Sequence, residues 1–370
     1  MAQSTGFKDS IHPEYVCLLK KSLYGLKQSQ RKWFETFSNY LLNYGFTHST
    51  ADSSLLIYHK NSVSIYILIY VDDILLTGNH DPTITSLLSA LHNRFYMKNL
   101  GNVSYFLGMQ VLQTSIGFHL SQTRYATYVL KKDAMSDCKP LSTPIASKVL
   151  SDDIQVLQPT QAEVYKQFVD SLQYLTLTRP DIAFTVNQLC QHMHSPQENH
   201  FKLLKRFLRY IKGTLSFGLP ITKSDLNLTA YSDSDWAGDP INRKSTTSYC
   251  AFLGCTLISW QVKKQKTVAR SSTEVEYRAL ATAAADIIWL RHLLPEFHIA
   301  VNSPTALFCD NISSIALANN HVFHARTKHI EIDFYFVCEC IKNNQLQVLH
   351  ILSIDQLADL FTKALSLSRF

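Results

Sequence analysis

Glycine and proline are scarce, eleven of each in 370 residues, which excludes collagen-like repeats, long flexible linkers and low-complexity disorder. Eight cysteines, at 17, 138, 190, 250, 255, 309, 338 and 340, contain no C-x-x-C pair. That argues against a zinc knuckle or a disulfide framework and makes a reduced intracellular setting the default. Long apolar runs are missing too. The most apolar stretch, Ser64 to Val71, is less than half of the ~20 residues a membrane helix needs, and two aspartates follow it. The first ten residues, MAQSTGFKDS, have no basic segment leading into an apolar one, so no secretory signal is expected. Charge of one sign is barely in excess: 35 Lys and Arg against 29 Asp and Glu give +6, compatible with a polyanionic partner without requiring one. With 46% hydrophobic residues there is material for packed cores, and the length suggests two or three domains at roughly 150 residues each.

Three textures follow one another. Up to about residue 95 an aromatic-rich helical pattern, Trp33 to Leu42, precedes two β-rich runs, Ser54–Tyr58 and Val63–Thr77, with Asn61-Ser62 as the turn between them. Helical segments dominate from about 125 to 215, interrupted by the proline-containing stretch Lys139–Pro144 and by a polar span, Ser151–Thr160, read as a loop. From Leu226 the rhythm changes again. Leu226–Tyr231 alternates as a strand should, and Ser245–Trp260 reads as a hairpin rich in Thr, Tyr, Phe and Ile. Ser271 with Glu274, or Thr273 with Glu276, then forms a capping box for a long Ala-rich helix reaching about Leu294. A strand at Ala306–Cys309 is followed by helices near 312–318 and 330–341, a strand at Leu346–His350, and a last helix with a box at Ser353–Gln356. This order predicts a mixed α/β layer.

Within this last block Asp233 ends the first strand, Glu276 lies in the first turns of the long helix, Asp310 ends the fourth strand, and Asp359 lies in the terminal helix. Side chains from distant sequence meet at one sheet edge through strand ends and helix starts. Four carboxylates brought together repel, so they need cations between them, and hard oxygen donors favour Mg²⁺ or Mn²⁺. Two such ions about 4 Å apart would serve phosphodiester cleavage. A lone aspartate at a strand end is usually a turn former or a cap. Asp235, Glu274 and Asp286 are assigned those roles.

The segments Tyr231–Gly238, Ser271–Leu280, Cys309-Asp310-Asn311, His324–Asp333 and Asp355–Lys363 resemble, in order, the ribonuclease H domain of copia-type retrotransposon Pol polyproteins. The resemblance implies that Asp233, Glu276, Asp310 and Asp359 form an Asp-Glu-Asp-Asp quartet that holds two Mg²⁺ (or Mn²⁺) ions and cleaves RNA in RNA–DNA hybrids. Ribonuclease H enzymes often add a histidine shortly before the last aspartate, which makes His350 a candidate here; the preferred reading of it is a strand-end residue. Upstream, Lys21–Gln28, Tyr70-Val71-Asp72-Asp73, Leu100–Gly108 and Tyr174–Asp181 are similar to the reverse transcriptase of the same family and the segment that follows it. Tyr-Val-Asp-Asp is a tight turn between apolar strands that presents Asp72 and Asp73, the implied polymerase metal ligands, to solvent. The implied architecture is an α/β (α+β) chain: a partial palm over 1–125, thumb and connection helices over 126–225, and a ribonuclease H-like mixed five-stranded sheet with flanking helices over 226–370.

The family places a further polymerase aspartate ahead of the Leu-Tyr-Gly-Leu-Lys-Gln motif. Before Leu23 stand only Asp9 and Glu14, in no matching context, so no stand-alone polymerase activity is expected. Asp170, Ser248, Cys255 and Lys266 stand where the family implies glycines or, at 266, proline, and a glycine replaced at a positive-φ turn costs about 1 kcal/mol. A decayed, non-catalytic nucleic-acid-binding remnant is the alternative reading. For gripping nucleic acid, Lys202, Lys205, Arg206, Arg209 and Lys212 share one face of an amphipathic helix, 201–212. Arg243, Lys244, Lys263, Lys264, Lys266 and Arg270 cluster in the hairpin and the helix approach without intervening acid. The expected partners are an RNA–DNA hybrid and a template-primer, with no membrane. By resemblance, the expected location is a cytoplasmic particle whose DNA product later enters the nucleus.

Overall fold

The apolar alternation from Val63 to Thr77 makes two strands rather than one, because Val71 turns the chain back with a φ of 51°. The computed structural model describes residues 2–20, 22–23, 25–132, 135–146, 155–320 and 330–370, in two compact units, Met1–Asn102 and Val103–Phe370.

In the first unit, helix α1 (Ser29–Tyr44) ends at Gly45, whose φ of 113° closes it. An antiparallel sheet follows in the order β1 (Thr47–His48), β2 (Leu55–Lys60), β3 (Val63–Tyr70) and β4 (Asp73–Gly78), and then helix α2 (Asp81–Phe95). Asn61 and Ser62, both at positive φ, make the expected β2–β3 turn. Phe37, Leu41, Leu56, Ile65, Ile67 and Leu87 are completely buried between the helices and the sheet. Each such side chain contributes roughly 1.5–3 kcal/mol.

The second unit opens with strands β5 (Tyr105–Phe106), β6 (Met109–Thr114) and β7 (Gly117–Ser121). Helices α3 (Thr123–Lys132), α4 (Pro159–Leu175), α5 (Ala183–Cys190) and α6 (Glu198–Gly213) follow and bury a core around Tyr165, Phe168, Leu172, Leu204, Phe207 and Ile211. Strand β8 (Gly218–Thr222) pairs with β7. Residues 105–121, read from sequence with the segment ending at 125, thus belong to the second unit through a pairing about a hundred residues distant. Of the span read as a loop, 151–154 lie outside the described residues, and Pro159 already starts α4.

The five-stranded sheet has the order β11-β10-β9-β12-β13, built from β9 (Leu228–Ser234), β10 (Thr246–Leu253), β11 (Thr256–Lys264), β12 (Thr305–Cys309) and β13 (Leu346–His350). The first three pair antiparallel, while β12 runs parallel to both β9 and β13. Helix α7 (Ser272–Leu293), with α8 (Ile312–Asn319) and α9 (Glu331–Lys342), packs on the face carrying Leu228, Ala230, Tyr249, Leu307 and Cys309. Buried alanines at 279, 283 and 284 let α7 lie close to the strands. The opposite face carries Tyr231, Cys250 and Phe252, packed with Ala183, Ala358 and Phe361. The expected α/β class and five-stranded mixed sheet are present.

The terminal helix is a correction. It is a 3₁₀ turn, Leu357–Phe361, capped not by Ser353 but by Gln356, whose Oε1 accepts from Ala358 N at 3.1 Å. Gln356 also donates to Ser232 O at 3.1 Å, tying the turn to β9. Among the described residues no helix is long and apolar enough to cross a membrane.

Candidate active site

Parallel strands β9 and β12 bring Asp233 and Asp310 to one edge. Phe308 pairs with Tyr231, so the positions two residues further along each strand lie side by side. Glu276 approaches from the second turn of α7, and a carboxylate oxygen of Glu276, one of Asp310 and the Cys309 thiol lie within 4.8 Å of one another. Asp359 enters from the 3₁₀ turn on the other face of the sheet. Lys363 joins it to Asp233: the ammonium contacts Asp359 Oδ1 and lies 3.5 Å from Asp233 Oδ1. All four predicted carboxylates therefore meet at one edge.

The helix start explains why Glu276 is available. Of the two possible caps, Ser271 is the one used: its hydroxyl accepts from Glu274 N at 3.2 Å. Glu274 accepts from Arg270 N and from Arg278, both at 2.9 Å, and so has the structural role expected of it. Glu276 Oε2, two residues on, is buried and has no hydrogen-bond partner among the described residues. Asp235 is likewise structural, accepting from Thr246 N. Asp286 is a correction: it is neither a turn former nor a cap but lies mid-helix in α7 beside Tyr249, where burial and the carboxylate hold the tyrosine hydroxyl above its usual range.

Electrostatics follow from burial. Desolvation, with the charges of Asp233 and Asp310, pushes the Glu276 carboxyl up to about 9. Desolvation also pushes Asp233 up to about 6, against the pull of the Lys363 ammonium and the Thr362 hydroxyl, which donates to Asp233 Oδ2. Burial works against the charge on Lys363, but the surrounding carboxylates outweigh it and hold its pKa above the usual value. Arg369 donates to Asp359 Oδ2 at 3.0 Å, and Ser353 to Asp310 Oδ2 at 2.7 Å. Burial, then Glu276, raises the Cys309 thiol, which keeps its proton and lines the site as a neutral group. An orphaned buried carboxylate oxygen facing a second carboxylate fits a divalent cation, and the all-oxygen charged donors suit Mg²⁺ or Mn²⁺.

Sequence reasoning overlooked the basic and hydroxyl groups of this site. Thr362 and Lys363 follow Asp359 by three and four residues, a spacing that puts them on its own turn. Arg369 and Ser353 left no such signal.

In the first unit Asp72 and Asp73 are exposed at the β3–β4 turn, as expected. Val71 there is a β-branched residue at positive φ, a strained state, and its carbonyl accepts from the Trp33 indole at 2.8 Å. Lys21 and Tyr24, of the Lys21–Gln28 motif, and residues 324–329, of the His324–Asp333 motif, lie outside the described residues.

The basic residues divide. Lys202 and Lys205 are exposed on α6, and Lys205 lies 4.8 Å over the Phe201 ring. Arg206, Arg209 and Lys212 are half-buried. Arg206 donates to Thr143 Oγ1 at 2.9 Å and Arg209 to Lys139 O at 2.7 Å, so both hold the 139–143 strap. Lys264 binds Asp239 and, at 2.7 Å, Gln191. Arg243, Lys263, Lys266 and Arg270 are exposed, and Lys244 is half-buried.

The expected glycine penalty is absent. Asp170, Ser248, Cys255 and Lys266 are not among the residues at positive φ. Ser248 is fully buried in β10, and its hydroxyl reaches Ala358 O at 3.2 Å and Asp233 O at 3.4 Å.

Residues 1–147 match the family described as "Reverse transcriptase (RNA-dependent DNA polymerase)". The Pol polyprotein from transposon RE1 of Arabidopsis thaliana is 44% identical over 374 residues, covering 100% of this chain and 25% of the relative. That from transposon TNT 1-94 of Nicotiana tabacum is 36% identical, covering 100% of this chain and 28% of the relative. The uncharacterized mitochondrial protein AtMg00810 of Arabidopsis thaliana is 52% identical over 61% of this chain and 94% of its own length. A solved RNase H1 in complex with an RNA/DNA hybrid is similar over 37% of this chain and 94% of that chain, at 13% identity and a TM-score of 0.29. The chain spans about a quarter of the length of the Pol polyproteins it matches. With sequence similarity running the full length of the chain, it belongs to the family of copia-type retrotransposon Pol polyproteins.

Proposed function

We propose that residues 226–370 cut the RNA strand of RNA–DNA hybrids, with Asp233, Glu276, Asp310 and Asp359 holding two divalent ions, Mg²⁺ or Mn²⁺. The observation that carries this reading is the buried Glu276 carboxyl, one oxygen of which lies within 4.8 Å of an Asp310 oxygen and whose Oε2 has no hydrogen-bond partner among the described residues, at the strand-end edge shared with Asp233. When bound, such a pair of ions lowers the pKa of water and neutralises charge on a leaving oxygen. The chain's own groups fix the donors. Ser353 orients Asp310, Thr362 orients Asp233, and the Ser271 cap sets the turn of α7 from which Glu276 projects. Burial of Asp233 and Asp359 excludes competing water and strengthens their hold on a cation.

For the nucleic acid, the exposed Lys205, Lys263 and Arg270 are the groups available to phosphates, whereas Arg206, Arg209 and Lys264 are engaged within the protein. The Asp72–Asp73 pair carries the chemistry of a polymerase metal site by family. Among the described residues no third acidic side chain joins them in a metal-holding group, and we propose that this chain alone does not extend primers.

The test is digestion of a hybrid labelled on each strand. Mg²⁺-dependent shortening of the RNA, abolished by EDTA, with the DNA strand and duplex DNA intact, supports the proposal. An intact RNA strand in Mg²⁺ and in Mn²⁺ leaves a non-catalytic binding remnant as the better reading.

A further inference from the structure

The Lys363 ammonium sits where a cation shared by Asp233 and Asp359 would sit, in contact with Asp359 Oδ1 and 3.5 Å from Asp233. The three side chains are unequal. Those of Asp233 and Asp359 are 2% and 3% exposed, that of Lys363 41%. Two nearly buried carboxylates without a counter-charge are strongly destabilising, so while both are ionised a cation must accompany them. A divalent ion and an ammonium packed against the same oxygens repel, because at these distances two positive charges in a partly buried site interact by several times the thermal energy. Simultaneous occupancy is therefore disfavoured. The flexible aliphatic stem and the solvent on one side give Lys363 somewhere to go.

We propose that Lys363 is an exchangeable counter-cation of this site, neutralising Asp233 and Asp359 while no divalent ion is held and withdrawing when one binds. The inference rests on the reading of these carboxylates as cation ligands. It adds that the site is built to stay folded without metal, at the expense of metal affinity. Arg369 is the complementary piece. Of the two carboxylates it contacts Asp359, donating to Oδ2 at 3.0 Å while also donating to Ser353 O at 3.0 Å, and it keeps Asp359 partly compensated after Lys363 leaves.

The test measures Mn²⁺ affinity by calorimetry and by the electron paramagnetic resonance of free Mn²⁺, on the full chain, its Lys363→Met and Lys363→Arg variants, and Asp310→Asn. Lys363→Met is expected to bind Mn²⁺ about tenfold more tightly than the wild-type chain, and Lys363→Arg to stay within about threefold of it. Equal or weaker binding by Lys363→Met overturns the proposal, as does Lys363→Arg binding as tightly as Lys363→Met. A wild-type chain that binds no better than Asp310→Asn removes the cation-site reading itself, a distinguishable failure. If Lys363→Met does not fold, the wild-type chain decides: amine acetylation of Lys363, followed by peptide mass spectrometry, is expected to speed up several-fold in saturating Mg²⁺ relative to EDTA. An unchanged rate contradicts the exchange.

Discussion

The buried hydroxyl of Ser248 lies 3.2 Å from the carbonyl oxygen of Ala358, so strand β10 holds the turn that carries Asp359. By resemblance a glycine is implied at this position, and a serine there reads as erosion. The structure gives it the opposite value, since its φ is not positive and its hydroxyl is partnered. Ser248→Gly is therefore expected to destabilise the chain by about 1–2 kcal/mol, from a lost hydrogen bond and a flexible residue in a strand. Urea denaturation followed by circular dichroism measures it. A more stable Ser248→Gly would restore the erosion reading.

Metal-free stability should fall as pH rises. Glu276 is lifted from an ordinary 4.5 to about 9 and Asp233 from 3.8 to about 6, so the folded state holds both protons more tightly than the unfolded one. Their contribution is fully present below about pH 4 and is lost as pH rises through 6 and then 9. Over pH 5–9 in EDTA the loss is on the order of a few kcal/mol. Glu276→Gln should lose markedly less, and Mg²⁺ should offset the loss in the wild-type chain. Thermal melts across that range check both statements; a flat wild-type profile in EDTA contradicts them.

Binding to the hybrid should be steeply salt-dependent. Replacing both Lys205 and Lys263 by glutamine removes two exposed cations and is expected to lower affinity at low salt and flatten the slope of log K against log salt by about one to two. The same exchange at Lys264 removes an ion pair with Asp239 and should chiefly lower stability. Filter binding between about 50 and 200 mM salt separates the two outcomes.

We propose that primer extension gives no product above a blank, with Mg²⁺ or Mn²⁺; among the described residues Asp72 and Asp73 belong to no group of three close metal-ligating side chains. Processive synthesis by the purified chain would refute this.

Much of this was legible in the sequence, for physical reasons. The β13 strand, the α7 start and the β3–β4 turn follow from local patterns: alternation over Leu346–His350, the S-x-x-E box at Ser271, and paired aspartates after an apolar run. The small sheet β5–β8 was not legible, since its strands are short and its closing pair, Gly117–Ser121 with Gly218–Thr222, is distant in the chain. The four carboxylates could be named from strand ends and motif order. Their company could not, because Arg369 and Ser353 reach Asp359 and Asp310 only through the fold of the terminal segment. Arg206, Arg209 and Lys264 show the reverse. A one-sided helical face and a charge run said nothing of the strap and the aspartate that engage them.

The most direct measurement is the rate of RNA cleavage in an RNA–DNA hybrid by the wild-type chain and by Asp310→Asn, purified side by side in Mg²⁺. Asp310→Asn keeps the shape of the site and removes one charged donor beside Glu276. A rate at least about a hundredfold lower in the variant, with its melting temperature in EDTA unchanged or raised, is the predicted result. Equal rates in the two proteins, or no cleavage by either, would contradict the account.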